Sequence, residues 1–474
     1  MTDKNKHIQL LVIGGGPGGY TAAFRAADLG LDVILVDKNS NLGGVCLNEG
    51  CIPSKSLLNI SKIIDSSKNS KSMGVTFTEP KIDISKIHEW KNKIITNLNQ
   101  GIKKLAQARK IEVLTGKAKF NSANEVIIND NQDKQILLTF DNCIIATGSK
   151  PQVLKKLDKK HPSIINSTQA LNLNSVPERL LVIGGGYIGL ELGSVYNSLG
   201  SEITIAEFLP NILSMADEDL VKPLYQTIKL NYKNIYLSTE VTSLIPQNDN
   251  SVIASFKSKD KEFKDSFDKV LICAGRTPNT ESLNITKTGI KLDSNGFIPV
   301  NLQRRTLIPN IYAIGDVTGG PMLAHKATHE GKVAAEAIIG RNSAFSPSTI
   351  PSVIYTHPEI AWAGFTEKEL SEKSIKYKKS IFPWTASGRA MSVNATNGLT
   401  KLITNLDNTE ILGVGIVGEN AGDLISEAVL AIEMNAVPED IALTIHPHPT
   451  LSETFANTAE ISLGTITDLF IPKK

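Results

Sequence analysis

The sequence predicts an α/β fold that contains two Rossmann-like units, and three observations lead to this prediction. First, the chain has 474 residues, which is enough for about three domains. Second, residues 9–38 and 179–208 resemble each other: each passes from an apolar run rich in Val and Ile through Gly-x-Gly-x-x-Gly into a helical stretch. Third, each copy ends in a second β-branched run that stops at an acid, Asp37 or Glu207, equally far from its first glycine. This is the β-α-β pattern of a dinucleotide-binding unit.

The three glycines of each copy have different structural tasks. The first allows a tight turn, the second lets backbone amides approach a pyrophosphate, and the third allows close packing of helix on strand. These glycines are Gly14, Gly16 and Gly19 in the first copy and Gly184, Gly186 and Gly189 in the second. The pyrophosphate would rest on the helix N-terminus, and the acid would bind ribose hydroxyls. Glycine-rich turns without a ligand are the alternative, which two complete copies make unfavourable.

A pair of cysteines follows the first copy. Residues 43–55 read GGVCLNEGCIPSK, so Cys46 and Cys51 are five residues apart. On a regular α-helix their Cα atoms would be roughly 8–9 Å apart, whereas a disulfide requires about 4.4–6.8 Å. We therefore expect a bend, for which Gly50 supplies backbone freedom, and a helix start near Cys51 that lowers its thiol pKa. Pro53 suits the first turn of that helix. The alternatives are two inert thiols or half of a zinc site, but no second cysteine cluster or nearby histidine follows, and no metal is expected.

Two fingerprints imply two dinucleotides. The copy beside the cysteine pair is expected to bind FAD, because a pair of thiols beside a flavin can relay two electrons. The second copy is then expected to bind a nicotinamide cofactor. A 2′-phosphate at about 4 Å from the Glu207 carboxylate would be repelled by about 4 kcal/mol per unit charge in an effective dielectric near ~20. No arginine lies between Arg179 and Arg276 to compensate, which favours NAD over NADP.

Apolar runs at residues 143–149 and 271–276 end the two units. Each run stops at a glycine, which suits a crossover between domains. Cys143 and Cys273 lie in these runs, and we interpret them as small core residues inside strands. A further apolar run leads into Asp316, where an acid suits a hydrogen bond to a flavin ribityl chain, with a helix N-cap as the alternative.

The C-terminal part contains a candidate base. Residues 446–453 read HPHPTLSE, and the two prolines favour a rigid, extended loop over a helix. An imidazole beside a carboxylate forms a general base, which a thiol substrate requires because only its thiolate attacks a disulfide. The spacing does not say whether His446 or His448 serves, and a purely structural loop is the alternative.

Composition excludes several other classes of protein. Hydrophobic residues make up 41% and charged residues 21% of the chain, and the net charge of +2 indicates neither nucleic acid nor an anionic membrane as a partner. Four cysteines in this length argue against a secreted disulfide scaffold. The polar N-terminus lacks a signal peptide, and no run approaches the ~18 apolar residues of a membrane span. A cytoplasmic location is expected.

Over essentially its whole length, the chain resembles the dihydrolipoamide-oxidising members of the pyridine nucleotide–disulfide oxidoreductase family. The most specific parts are residues 43–55, the segment AIGDVTGGPMLAHKATHEG at 313–331, and residues 446–453. One departure is visible, because these proteins usually carry Thr before the first active-site cysteine and this chain has Val45. The lost hydroxyl is expected to shift the redox poise modestly without abolishing activity.

The resemblance assigns roles around the cysteine pair. Cys46 is the thiol that exchanges with substrate, Cys51 is the thiol against the flavin, and Lys55 lies near the flavin and pairs with Glu191. The implied FAD-binding residues are Gly14, Gly16, Gly19, Asp37, Lys55, Gly116, Thr147, Gly148, Asp316, Met322, Leu323, Ala324 and His325, and the implied NAD-binding residues are Gly184, Gly186, Gly189, Glu207 and Gly275. The implied reaction oxidises protein-bound dihydrolipoamide to lipoamide and reduces NAD⁺ to NADH.

The resemblance also implies a domain organisation and partners. Residues 1–149 form an FAD-binding domain, 150–276 an NAD-binding domain, 277–347 a central domain that completes the FAD site, and 348–474 an α+β interface domain. His448 is the base, polarised by Glu453 and beside His446, and it reaches the active site of the other subunit of a homodimer. The expected partners are a lipoyl carrier domain and the acyltransferase (E2) core of a 2-oxo acid dehydrogenase complex.

Other reductases of the family remain as alternatives. A glutathione reductase is disfavoured by Glu207 and by the CLNEGCIPSK segment, and a mercuric reductase by the lack of a cysteine after Cys273. A flavin NADH oxidase or transhydrogenase would not need the cysteine pair and the base. An inactive, architectural subunit of a multienzyme complex is disfavoured by the same retained residues.

Overall fold

A seven-stranded sheet forms the first unit of the computed structural model, which describes residues 3–132, 134–259, 261–470 and 472. Its strands are β1 (Asp3–Ile13), β2 (Val33–Asp37), β3 (Glu112–Thr115), β4 (Lys117–Ser122), β5 (Glu125–Asn129), β6 (Gln135–Ile145) and β17 (Ile311–Ala313). The order β3-β2-β1-β6-β17 is parallel, and β5 and β4 extend β6 in antiparallel fashion. The late strand β17 thus joins a sheet made mainly by the first third of the chain.

Among the described residues, five α-helices belong to this unit. They are α1 (Pro17–Asp28), α2 (Gly44–Glu49), α3 (Cys51–Asn69), α4 (Ile84–Ala108) and α8 (Ala324–Ile338). Helices α1 and α8 approach each other closely, since a Cβ at Gly331 of α8 would lie 2.6 Å from the carbonyl oxygen of Gly18 in α1. The chain segment after the second unit is therefore part of the first unit.

A five-stranded parallel sheet forms the second unit, in the order β11-β10-β9-β15-β8. Its elements are β8 (Ile164–Asn166), α5 (Ser167–Leu171), β9 (Arg179–Ile183), α6 (Tyr187–Ser198), β10 (Glu202–Ala206), α7 (Glu218–Asn231), β11 (Asn234–Tyr236) and β15 (Lys269–Ile272). An antiparallel sheet of β12 (Glu240–Pro246), β13 (Val252–Lys257) and β14 (Glu262–Phe267) accompanies it. The pair β7 (Ser149–Pro151) and β16 (Arg276–Pro278) connects this unit with the first.

An antiparallel sheet with helices forms the third unit. The strand order is β18-β19-β22-β21-β20. The elements are β18 (Ser352–Ile354), β19 (Glu359–Gly364), α9 (Glu367–Glu372), β20 (Lys378–Pro383), α10 (Gly388–Ser392), β21 (Leu399–Thr404), β22 (Ile411–Gly418), α11 (Ala421–Glu433), α12 (Pro438–Leu443) and α13 (Glu453–Leu463). Two units with parallel sheets and one antiparallel α+β unit give the fold class that the sequence predicts.

The central strands of both parallel sheets are buried on both faces. Leu10, Leu11 and Val12 of β1 are fully buried, as are Leu180 and Leu181 of β9. Continuous apolar runs are typical of parallel strands that are covered on each side by helices. The apolar runs that opened the two copies of the sequence repeat are therefore the centres of two separate cores.

One predicted core residue lies outside its strand. Cys143 lies in β6 and is fully buried, as predicted. Cys273, in contrast, lies one residue beyond the end of β15 and is only partly buried, so its placement inside a strand was wrong. Its N–H still donates to the Ile183 carbonyl oxygen at 2.8 Å, but the chain then turns at Gly275, whose φ is +104°, to enter β16.

A buried ion cluster joins the second unit to the third. Lys401 of β21, whose side chain is 1% exposed, places its ammonium 2.7 Å from Asp217, 2.6 Å from Asp219 and 3.0 Å from Glu367. Lys379 of β20 also contacts Asp219 and Glu367. These five residues are the Lys401 cluster, in which three carboxylates close enough to share a metal ion are bonded to an ammonium group.

Helix length and hydropathy also bear on the fold. Within the described ranges, no helix combines the length and the apolar character that crossing a lipid bilayer requires.

Candidate active site

The two cysteines lie on consecutive helices that are separated at Gly50. Helix α2 ends at Glu49 and α3 begins at Cys51, so the pair does not share one continuous helix. Gly50 has φ −145° and ψ −101°, and a Cβ there would lie only 3.0 Å from the Val45 carbonyl oxygen. The predicted bend and the predicted helix start at Cys51 are both confirmed.

Electrostatics distinguishes the two thiols, which are both in the reduced form. A hydrogen bond from the Cys46 thiol, with the Lys55 ammonium nearby, lowers the pKa of Cys51 to about 7, although burial acts in the opposite direction. The same hydrogen bond, together with burial, raises the pKa of Cys46 well above its ordinary value. Cys51 is therefore the thiol of the pair that ionises first, and Cys46 is the donor of the hydrogen bond to it.

A buried carboxylate holds the lysine beside this thiolate. Glu191 of α6 is 3% exposed and accepts hydrogen bonds from Lys55 Nζ at 2.8 Å and from Ser54 Oγ at 2.9 Å. Its other oxygen accepts a bond from the backbone N–H of Tyr355 at 3.1 Å. Lys55 and Glu191 thus form the pair that the family resemblance implies. Sequence reasoning missed the contribution of Tyr355, because 164 positions separate it from Glu191.

A cavity of about 220 Å³ joins the cysteine pair to the first glycine fingerprint. The predicted site residues that line it are Gly14, Gly16, Asp37, Cys46, Cys51, Lys55, Thr147, Gly148, Glu191, Asp316, Met322 and Ala324. Four other predicted residues lie near it without lining it. Gly19 packs α1 on the turn at Gly14, the N–H of Gly116 donates to the Asp37 carbonyl oxygen, Leu323 precedes α8, and His325 Nε2 lies 2.9 Å from the Pro351 carbonyl oxygen.

The first fingerprint has the geometry of a nucleotide cradle. Gly14 has φ +107°, and a Cβ there would lie 2.3 Å from the Ala146 carbonyl oxygen, so the fold itself requires glycine. Gly16 differs, because its φ of −70° suits any residue and the nearest atom to an added Cβ is 3.9 Å away. Packing therefore does not explain glycine at position 16, whereas close approach of a pyrophosphate does. Asp37 accepts a bond from the Gly15 N–H at 2.7 Å at the edge of the same cradle.

The second fingerprint repeats this geometry. Gly184 also has φ +107°, and an added Cβ would lie 2.4 Å from the Cys273 carbonyl oxygen. Gly186 has φ −77° and open space around an added Cβ, so packing does not explain this glycine either. Glu207 accepts a bond from the Gly185 N–H at 2.5 Å. In the described part of the chain, the lining of the cavity at the cysteine pair does not include Gly184, Gly186, Gly189, Glu207 or Gly275.

A chain of polar side chains lines the cavity, and sequence reasoning missed two of its members, Arg276 and Ser149. Arg276 Nε donates to Ser149 Oγ at 2.7 Å, and this hydroxyl donates to the Asp316 carboxylate. All three residues line the cavity, although they lie on three separate segments. The N-cap alternative for Asp316 was wrong, because Asp316 lies inside a short 3₁₀ helix whose cap is Ile314.

The C-terminal loop carries a histidine–carboxylate pair. His448 Nδ1 lies 2.8 Å from Glu453 Oε1, and the other carboxylate oxygen accepts the Thr450 N–H at 2.6 Å. The His448 side chain is 81% exposed, which leaves Nε2 available to a substrate. Within the described ranges, none of residues 446–453 lines the cavity of the cysteine pair. Within one chain, the histidine–carboxylate pair and the cysteine pair therefore lie in separate places.

The neighbouring histidine is bound on both sides. His446 Nε2 lies 2.7 Å from Glu427, and its Nδ1 lies 2.8 Å from the Thr444 carbonyl oxygen. Its side chain is only 7% exposed. Both ring nitrogens are thus occupied by acceptors, and no nitrogen is left for a substrate. His448, in contrast, is the more exposed of the two histidines, and spacing alone did not distinguish them.

The fold and this site together define a class of protein, a disulfide oxidoreductase with two dinucleotide-binding units. The family model described as pyridine nucleotide-disulphide oxidoreductase matches residues 8–331, and the model of its dimerisation domain matches residues 350–459. The chain therefore belongs to the pyridine nucleotide-disulphide oxidoreductase family, and it is an oxidoreductase.

Relatives that match nearly the full length of the chain show which members of the family it is similar to. The chain is 48% identical over 467 residues to the dihydrolipoyl dehydrogenase of Buchnera aphidicola subsp. Schizaphis graminum, and 46% identical over 466 residues to that of Vibrio parahaemolyticus, with 98% of each chain covered. Among solved structures, the Cu(II) complex of the HOCl-induced flavoprotein disulfide reductase RclA from Escherichia coli has a TM-score of 0.85 at 25% identity. That match covers 96% of this chain and 99% of the other.

Proposed function

We propose that the protein oxidises dihydrolipoamide to lipoamide and reduces NAD⁺ to NADH, with FAD as the resident cofactor and Cys46 and Cys51 as the redox-active pair. The observation that carries this proposal is the cavity in which both cysteines, Lys55 and the first glycine fingerprint meet. The curated relatives at 46–48% identity support the choice of substrate.

The residues present fit both nucleotides. An added Cβ would meet no atom closer than 3.9 Å at Gly16 and none within 4 Å at Gly186, and each glycine lies directly before a helix N-terminus, which favours a pyrophosphate. Asp37 and Glu207 are placed to accept ribose hydroxyls, and the charge of Glu207 favours NAD over NADP. When bound, FAD would supply an acceptor for the electron pair of the two thiols and a hydride donor for NAD⁺.

The side chains move the protons and form the sulfur bonds. His448 Nε2 takes a proton from one thiol of dihydrolipoamide, and Glu453 stabilises the imidazolium through Nδ1. The substrate thiolate attacks Cys46 of the oxidised pair and releases Cys51 as a thiolate, which Lys55 stabilises. The second substrate thiol then displaces Cys46, so lipoamide leaves and the pair is reduced. The two thiols of the substrate are thus oxidised to a disulfide, and the disulfide of Cys46 and Cys51 is reduced to two thiols.

A second copy of the chain completes the site in this proposal. The exposed His448 and the cavity belong to different regions of one chain, so a partner has to supply the base. Two side chains just before the loop, Leu443 and Ile445, are 75% and 95% exposed, which suits burial in a dimer. The match of residues 350–459 to a dimerisation domain supports a homodimer.

The proposed partners follow from the substrate. Dihydrolipoamide is carried on a lipoyl domain of another chain, and we place the protein on the acyltransferase (E2) core of a 2-oxo acid dehydrogenase complex. A reducing cytoplasm suits a pair of cysteines that cycles between thiol and disulfide.

A substitution of the exchanging thiol tests the reaction. Cys46→Ser is expected to retain FAD but to lose turnover of dihydrolipoamide with NAD⁺, measured as NADH absorbance, because no mixed disulfide can form. Cys143→Ala removes a buried thiol outside the cavity and is the control that keeps activity. Assays with NADP⁺ and with glutathione separate this substrate class from other reductases. Full turnover in Cys46→Ser would overturn the proposal.

Hybrid dimers test where the base acts. Cys46→Ser and His448→Gln homodimers are each expected to be inactive. Random subunit exchange between them is expected to restore about a quarter of wild-type turnover, because a hybrid has one site with an intact cysteine pair and an intact base. Mixtures that stay inactive although mass spectrometry shows hybrids would place the base in the same subunit as the cysteines.

A further inference from the structure

The three units of the fold meet at one point beside the cysteine pair. Lys55 comes from α3 of the first unit, Glu191 from α6 of the second, and Tyr355 follows β18 of the third. The Lys55 ammonium lies 4.4 Å from the centroid of the Tyr355 ring and 2.8 Å from Glu191 Oε2. The Tyr355 N–H donates to Glu191 Oε1. Tyr355 therefore contacts both members of the ion pair, one through its ring and the other through its backbone.

This arrangement limits where the ammonium can go. A lysine side chain is long and flexible, and the side chain of Lys55 is 32% exposed, so Glu191 by itself leaves it free to turn toward solvent. The aromatic face attracts the cation from a second direction. The phenol is neutral at physiological pH, because burial and the carboxylates of Glu359 and Glu191 raise the pKa of Tyr355.

We propose that Tyr355 is a positioning residue, whose ring holds the Lys55 ammonium beside the Cys51 thiolate. This inference rests on the proposed function, because it assigns the charge on Cys51 a role in electron transfer. The Lys55 ammonium can stabilise the Cys51 thiolate only while it stays close to the Cys51 sulfur. The groups that face Cys51 from the surrounding elements are Cys46, Lys55, Glu191, Tyr187 and Tyr355.

Titration of Cys51 tests the inference. In a Cys46→Ser background, the Cys51 thiolate beside oxidised FAD is expected to give a charge-transfer absorbance that follows its ionisation. Tyr355→Phe keeps the ring and is expected to leave the midpoint unchanged. Tyr355→Leu removes the ring and keeps the N–H, and it is expected to raise the midpoint by about half a pH unit or more. Tyr355 is 40% exposed, so its replacement is compatible with folding.

A double-substitution cycle separates positioning from a general structural effect. Lys55→Met is expected to raise the midpoint, and Tyr355→Leu is expected to add nothing further in that background. An unmoved midpoint in Tyr355→Leu, or a shift that persists without Lys55, would overturn the inference. The rate of Cys51 alkylation by iodoacetamide against pH gives a midpoint for the same thiol in protein without flavin, where Tyr355→Leu is expected to shift it in the same direction. If the protein bound no FAD, the proposed function would be contradicted. The role of Tyr355 could still be tested by alkylation, which does not need the flavin.

Discussion

The two nucleotide-binding units follow one local design but differ in how the rest of the chain surrounds them. In both, the first glycine has φ +107°, and an added Cβ would lie 2.3–2.4 Å from a carbonyl oxygen of the neighbouring strand segment. In both, the acid accepts the N–H of the residue after that glycine, from Gly15 to Asp37 and from Gly185 to Glu207. The local sequence pattern therefore produces the same turn twice.

The surroundings of the two turns differ. The first is enclosed by the cysteine segment, since a Cβ at Gly44 would lie 2.7 Å from the Gly16 Cα, and by α8, since a Cβ at Gly18 would lie 3.0 Å from the Ala327 carbonyl oxygen. The second is open: Gly186 has free space in front of it, and Phe208, directly after Glu207, is 71% exposed. An enclosed cradle suits a cofactor that stays bound, whereas an open one suits a substrate that must exchange in every cycle.

Substitutions at the second glycine of each fingerprint, Gly16 and Gly186, are expected to give the largest difference between the two units. Gly16→Val and Gly186→Val both add a Cβ that would lie 3.9 Å or more from the nearest atom, so both proteins are expected to fold. Gly16→Val is expected to lose most of its FAD and all activity, while Gly186→Val keeps FAD and raises KM for NAD⁺ by about tenfold or more, a loss of ~1.4 kcal/mol or more. Flavin absorbance and steady-state kinetics measure both, and loss of FAD from Gly186→Val would break the comparison.

The charge of Glu207 is expected to have a smaller effect. Glu207→Gln keeps an acceptor for the Gly185 N–H but removes the repulsion of a 2′-phosphate. The ratio of kcat/KM for NAD⁺ to that for NADP⁺ is expected to fall by about tenfold, after screening of the full Coulomb energy. Glu202→Gln, on the exposed start of the same strand, is the control. An unchanged ratio would mean that Glu207 does not contribute to the discrimination between NAD⁺ and NADP⁺ at the ribose.

The smallest effect is expected at the Lys401 cluster, which joins the second unit to the third. It is a dependence of the free energy of unfolding on pH. Burial would raise the pKa of Glu367, but hydrogen bonds from Lys379 and Lys401 and the charge of Lys401 lower it to about 2. Because its folded pKa lies below its ordinary value of 4.5, its contribution is complete above pH 4.5 and is lost as pH falls toward 2.

Denaturant unfolding measures this contribution. The difference in unfolding free energy between wild type and Glu367→Gln is expected to be about 1 kcal/mol at pH 7, since the carboxylate is partly screened, and to shrink in acid. Glu372→Gln, an exposed position on the same helix, should show no such trend. A difference that stays constant down to pH 2 would contradict the role of the Lys401 cluster.

Local patterns in the sequence were sufficient for much of the fold and part of the site. Glycine spacing, β-branched runs and the terminal acids predicted both units, because turns and strand periodicity depend on neighbouring residues. The break between Cys46 and Cys51 was predictable from helix geometry and Gly50. The position of Cys273 just outside β15 was not predictable, because the end of this strand is set by where the crossover to β16 begins.

The sequence by itself identified the residues to which we assign the chemistry, namely the two fingerprints, the cysteine pair and the histidine–glutamate pair. Tertiary structure decided which of them meet. It brought Tyr355 to Glu191, Arg276 to Ser149 and Lys401 to Asp217 across 127–184 positions, and it left His448 outside the cavity of its own chain. Such contacts depend on how the three units pack, and packing joins residues whose sequence neighbours carry no information about each other.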